Sequence, residues 1–127
     1  MLLVDTSVLI AQFRNYEPKR SLLFKTEPAG VCGMVRAEFL AGTRTPKQEA
    51  DCRTILASLT PILTLEAVWE AAGRNQALLR SNGLNVPLDD TIIATTAILV
   101  GVELWAYDAH FTAMATLLSG LRLFREP

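Results

Sequence analysis

Four carboxylates, Asp5, Glu38, Asp90 and Asp108, each border an apolar run: LLVD, VRAEFLAG, LDDTIIATTAILVG and LWAYD. An acid at the end of a buried segment has ordinary uses. Asp5 or Asp89 can cap a helix by accepting an unpaired N–H, and Asp108 can do the same for a helix starting at Ala109. Glu38 can pair with Arg36 or Arg44 on a solvated face. These uses explain each acid singly, but not four acids on four segments that converge. Gathered carboxylates repel one another and raise each other's pKa unless a cation neutralises them, and a divalent metal is the natural neutraliser. The donors are all oxygens, with no thiolate or histidine cluster, which suits Mg²⁺ or Mn²⁺ and argues against zinc. His110, the only histidine, reads first as a helix-start residue and only second as part of a site.

Convergence depends on the elements that carry the acids. Leu2-Leu3-Val4 is a short apolar run bounded by polar residues, the pattern of a strand covered on both faces, and it ends at Asp5. Residues 6–13 suit a short helix, and Pro18 opens another to about Thr26. Gly30-Val31-Cys32-Gly33 forms a second strand, followed by a helix that stops at Gly42 and places Glu38 near its inward face, beside Val35, Phe39 and Leu40. A helix from Pro46 to about Ser58 turns Ile55, Leu56 and Leu59 inward, and Ile62-Leu63 is a brief strand. Leu65 to Ser81 reads as an amphipathic helix ended by Asn82-Gly83. Pro87 to Val100 reads as a buried helix ended by Gly101, with Asp89 and Asp90 at the end whose dipole favours anions. Val102 to Tyr107 returns to strand, Ala109 to Ser119 to helix, and Leu121 to Phe124 to a last strand.

This alternation predicts an α/β/α sandwich around a central, mainly parallel sheet of about five short strands, in one domain spanning residues 1–127. Ligands of such sheets collect beyond the carboxyl ends of the strands. Asp5 and Asp108, each at a strand tip, should therefore share one rim.

Net charge is only −1, which excludes a protein that coats nucleic acid by bulk attraction. The distribution is uneven, because eight of the twelve Lys and Arg (Arg14, Lys19, Arg20, Lys25, Arg36, Arg44, Lys47, Arg53) fall within residues 1–53. A polyanion could find a basic rim there, although solvated helix faces explain such charges equally well. Cys32 and Cys52 lack any metal-ligand spacing and no signal peptide precedes Asp5, so a cytoplasmic protein with free thiols is expected. No apolar run is long enough to span a bilayer, so no membrane partner is expected. The motifs GxxxxGK[ST], GxGxxG and GxSxG are all absent.

Taken in order, VDTSVLI, VRAEFLAG, LDDTIIATTAILVG and LWAYDAHF resemble the motifs of the PIN-domain ribonucleases, most closely the toxin members of VapBC toxin–antitoxin systems. The resemblance covers nearly the whole chain, including the intervening LRSNGLNVP. It aligns the family's acids with Asp5, Glu38, Asp90 (through the spacing to Ile93 and Ala94) and Asp108, and its following hydroxyl with Thr6 or, better, Ser7. The chain departs from the family at Ala106, where a Thr or Ser is common, and at Thr95, where Ala is usual. The resemblance implies a metal-dependent endoribonuclease. Asp5, Glu38 and Asp90 would hold the principal ion, Asp108 would support a second ion or orient water, and Ser7 would assist. Arg14, Lys19 and Arg36 would hold RNA phosphates. The resemblance also implies a homodimer and an antitoxin whose C-terminal segment lies across the active-site groove. An ion among these acids would make a water molecule easier to deprotonate for attack on phosphorus and would offset charge building on the phosphoryl oxygens.

Two other readings compete. A phosphoacceptor receiver domain is also a parallel α/β fold with acids at strand ends, but it needs an acidic pair after the first strand and a late Lys. Here one acid follows that strand and no Lys follows Lys47. A catalytically silent PIN-like binding module would keep the acids merely as caps.

Overall fold

The computed structural model describes residues 1–127. Its elements run β1 (Leu2–Val4), α1 (Thr6–Arg14), α2 (Pro18–Thr26), β2 (Ala29–Cys32), α3 (Gly33–Ala41), α4 (Pro46–Ala57), β3 (Thr60–Ile62), α5 (Ala67–Ser81), α6 (Leu88–Val100), β4 (Glu103–Trp105) and α7 (Ala109–Ala115). The strands are short, and all but the edge strand β3 are largely covered: every residue of β1 is buried, as are Val31, Cys32, Leu104 and Trp105, whereas Thr60 and Pro61 of β3 are exposed. All pairings are parallel, in the order β3-β2-β1-β4. Every strand therefore ends at the same edge, and β1 is central, with Leu3 paired to Gly30 on one side and to Leu104 on the other. Gly30 is required by close approach: a Cβ there would stand 2.6 Å from Ile62 Cδ1 and 2.8 Å from the Thr60 carbonyl oxygen. Pro61, which has no N–H to donate, is tolerated because β3 is an edge strand.

Helix α6 is the most deeply buried, with Thr91 through Ala97 all buried. Its three buried hydroxyls are satisfied, as they must be in an apolar interior. Thr95 donates to the Thr91 carbonyl at 2.7 Å and accepts from Asn75 of α5 at 3.0 Å; Thr96 donates to the Ile92 carbonyl at 2.7 Å; Thr91 donates to Gln76. Thr95, where the family usually has Ala, is thus absorbed into the α5–α6 seam. Gly101, with φ of 80°, closes α6 in the left-handed region that favours glycine.

The sheet has four strands where about five were expected. The segment around Leu123 meets β4 at a single parallel bridge to Leu104, through Leu104 N–H to Arg122 O (2.9 Å) and Phe124 N–H to Leu104 O (2.8 Å). The chain then leaves the sheet so that Glu126 can accept from Trp105 Nε1 at 2.9 Å and from the Tyr107 hydroxyl. Helix α7 is also shorter than expected, ending at Ala115, where Thr116 turns its hydroxyl onto the Ala113 carbonyl at 2.6 Å. No helix is long and apolar enough to cross a membrane.

One residue leaves the basic rim. Arg20 is only 5% exposed and is spent on local structure: Nε donates to Gln12 at 2.8 Å, Nη1 to Glu17 at 3.0 Å, and Nη2 to the carbonyls of Ala11 (3.0 Å) and Asn15. It pins α2 to α1 and is closed to a polyanion.

Candidate metal centre

The carboxyl edge of the sheet carries five acids. Asp5 follows β1 and is only 4% exposed. Its Oδ2 accepts from Ser7 N–H at 3.0 Å and from the Ser7 hydroxyl at 2.6 Å, so it caps α1 as it ends the strand. The Ser7 oxygen in turn accepts from Tyr107 N–H at 3.0 Å, tying the first strand's tip to the backbone just before Asp108. Glu38 enters from α3, where Val35 and Phe39 are buried and set the helix phase. Its Oε1 accepts from the Thr6 hydroxyl at 2.8 Å. Neither Arg36 nor Arg44 pairs with it, and no ion pair of the molecule involves Glu38.

Asp89 and Asp90 come from the first turn of α6. The N-cap is Pro87, so neither acid is the cap, and Asp89 is not used as the helix-capping reading expected. Carboxylate oxygens of Glu38, Asp89 and Asp90 all lie within 4.8 Å of one another. Asp108 follows β4, with Ala106 and Tyr107 between, and caps α7, accepting from His110 N–H at 2.8 Å. That capping turn brings the His110 ring over the acids, with Nδ1 2.9 Å from Asp90 Oδ2 and 3.2 Å from Asp108 Oδ1. Asp90, Asp108 and His110 thus form a second group whose ligand atoms fall within 4.8 Å. Asp90 belongs to both groups. Asp5 belongs to neither, but its charge raises both Glu38 and Asp90.

The electrostatics follow from crowding in a partly buried place. Burial raises the Asp5 carboxyl against the pull of its Ser7 hydrogen bonds. Burial, then the adjoining Asp89, pushes Glu38 up to about 7, with the Thr6 hydroxyl acting in the opposite sense. Burial also raises Asp90, while His110 opposes it; the His110 ring is raised in return, chiefly by its hydrogen bond to Asp90. A set of oxygen donors that resist ionising together is what a divalent cation stabilises, so the residues fit such an ion by donor chemistry and by spacing.

Sequence reasoning set Asp89 aside as a cap and His110 as a helix-start residue. Asp-x-His across a helix start is a visible signal for the second, because a capping Asp and the residue two further on share one turn. The three basic candidates are not gathered in one place. Arg14 lines a hollow of about 230 Å³ with Glu38, Phe13, Phe39 and Gln48. Arg36 lines another with Arg53 and Pro61, and Lys19 a third beside Glu126.

A four-stranded parallel sheet with acids delivered to its carboxyl edge from β1, α3, α6 and β4 defines a PIN domain. The PIN domain family pattern matches residues 2–117, and the chain belongs to that family. Over nearly its whole length it is similar to ribonuclease VapC32 of Mycobacterium tuberculosis, at 31% identity across 99% of this chain and 98% of that protein. In fold it is similar to the DNA-bound VapBC of Salmonella typhimurium (TM-score 0.85, 17% identity, 97% of this chain and 96% of that one). It is likewise similar to VapBC2 of Rickettsia felis bound to a DNA fragment from their promoter (TM-score 0.82, 19% identity, 97% and 96%).

Proposed function

We propose that this protein is a divalent-metal-dependent endoribonuclease and the toxin of a toxin–antitoxin pair. The observation that carries the reading is the acid cluster itself: Glu38, Asp89 and Asp90 within 4.8 Å, Asp108 sharing His110 with Asp90, and Asp5 close enough to raise two of them. Caps alone do not explain it, since Glu38, Asp89 and Asp90 cap nothing. The whole-length likeness to a ribonuclease supports the same reading.

Asp5, Glu38 and Asp90 would hold the principal Mg²⁺ or Mn²⁺, with Asp108 supporting a second ion or a water. When bound, such an ion supplies an easily deprotonated water and neutralises charge on the phosphoryl oxygens. The chain's own part is to fix and orient. Ser7 locks Asp5 in place, and Thr6 holds one Glu38 oxygen. Arg14, exposed and in the hollow that reaches Glu38, would pair with an RNA phosphate, and Arg36 and Lys19, which line separate hollows, would hold phosphates elsewhere along the RNA. The similar solved structures named above are VapBC complexes, which supports a cognate antitoxin for this chain, and the family resemblance implies that it forms a homodimer.

The test is cleavage of a mixed-sequence RNA by the purified, untagged chain in Mn²⁺ or Mg²⁺, with and without EDTA, beside Asp5→Asn. Asparagine keeps the shape and the capping acceptor but deletes the charge. Cleavage that is lost in EDTA and in Asp5→Asn is the expected result. Cleavage that persists in Asp5→Asn with native circular dichroism would refute the assignment, and no cleavage by the wild type would favour the silent binding module. Light scattering at tens of micromolar checks the dimer.

A further inference from the structure

His110 is absent from the carboxylate set that the function above requires, yet its ring is held against two members of that set. Its Nδ1 is 2.9 Å from Asp90 Oδ2 and 3.2 Å from Asp108 Oδ1, and the ligand atoms of the three residues fall within 4.8 Å of one another. Two donors at right angles on one ion with bonds of about 2.1 Å stand about 3.0 Å apart, so both spacings are those of neighbouring corners of a coordination shell. The backbone arranges this. Asp108 caps α7 by accepting from His110 N–H at 2.8 Å, so one capping turn presents a carboxylate and an imidazole side by side, while Asp90 approaches from the start of α6.

We propose that His110 is a metal ligand, giving an ion shared with Asp90 and Asp108 one nitrogen donor, and that this nitrogen biases the site toward Mn²⁺ over Mg²⁺. The inference rests on the metal-centre reading above. Imidazole suits transition ions, whereas Mg²⁺ prefers carboxylate, carbonyl and water. In this role the ring carries its proton on Nε2 and offers the Nδ1 lone pair. In the competing role Nδ1–H merely donates to Asp90 and positions it.

The composition of the chain makes the test direct. His110 is the only histidine, so any imidazole signal at a bound ion comes from it. Untagged protein loaded with Mn²⁺ is examined by pulsed electron paramagnetic resonance, unlabelled and with ¹⁵N-histidine, and Mg²⁺ and Mn²⁺ affinities are measured by calorimetry for wild type and His110→Gln. The expected result is histidine nitrogen modulation on Mn²⁺ that changes with the label and vanishes in His110→Gln, with the preference for Mn²⁺ over Mg²⁺ falling by about tenfold. Bound Mn²⁺ without nitrogen modulation would overturn the ligand role and leave the carboxylate site standing. Failure to bind Mn²⁺ at millimolar concentration would overturn both.

Discussion

The Thr6 hydroxyl donates a 2.8 Å hydrogen bond to Glu38 Oε1, joining the first residue of α1 to the sixth of α3 across the rim of the sheet. It is one of the few influences that favour the ionised form of a carboxyl otherwise pushed up to about 7. Thr6→Val should therefore make Glu38 harder to ionise and loosen its orientation. A hydrogen bond to a carboxylate contributes about 1.5 kcal/mol, so Mn²⁺ affinity near neutral pH should fall by roughly tenfold. Calorimetry checks this, and the deficit should narrow above about pH 8, where Glu38 is ionised in either protein. An unchanged affinity at neutral pH would mean that Thr6 only packs.

The raised carboxyls also set a pH dependence of stability. Glu38 moves from an ordinary 4.5 to about 7, and Asp5 and Asp90 are shifted in the same direction. Between those values the folded protein binds more protons than the unfolded chain, so stability falls as pH rises. The contribution is complete below the unfolded value and is lost as pH passes through the folded one. In EDTA, the melting temperature should thus decline from about pH 5 to about pH 8, and millimolar Mn²⁺ should restore it most at the upper end. A melting temperature that climbs over this range in EDTA would contradict the cluster.

Asp89 and Asp90 are adjacent but should not behave alike. Asp90 sits in both ligand groups and meets His110, whereas Asp89 adds its charge beside Glu38. Asp90→Asn should abolish measurable Mn²⁺ binding. Asp89→Asn should relieve repulsion and raise the metal-free melting temperature near pH 8, and it removes no cap because Pro87 holds that position. A loss of metal-free stability in Asp89→Asn would show that its carboxylate has a structural partner.

Arg20 supplies the control for charge. Arg20→Met removes four hydrogen bonds from a buried place and strands the carbonyls of Ala11 and Asn15, which should cost about 2 to 4 kcal/mol in denaturant unfolding. Mn²⁺ affinity of the folded protein should stay within about twofold of wild type, because distant sites act independently. Unchanged stability would return Arg20 to the pool of surface cations.

The legible parts of the site were those set by local pattern. A strand that must stop at the sheet's edge puts Asp5 and Asp108 on one rim, and helical phase turns Glu38 toward Phe39's buried side. Asp90 was read from its spacing to Ile93 and Ala94. What pattern does not encode is how closely the starts of α6 and α7 approach, and that approach decides whether Asp89 and His110 are surface residues or neighbours of the cluster. The same limit applies to Arg20, whose partners lie on another helix and the loop after it. The fifth strand was overread for a related reason. Leu121 to Phe124 has a strand's composition, but only two backbone hydrogen bonds hold it to β4 before Glu126 is drawn to Trp105 and Tyr107.

The central position of β1 has a consequence for the protein's birth. One neighbour, β2, emerges soon after it, but the other, β4, belongs to the last quarter of the chain, and the Ser7–Tyr107 bond that locks Asp5 spans 100 residues. Pairings of such long separation form late, once both partners are available. A ribosome that has delivered Asp5, Glu38 and even Asp90 is still carrying a sheet without its β4 edge. The carboxylate rim is therefore incomplete for most of the polypeptide's own synthesis.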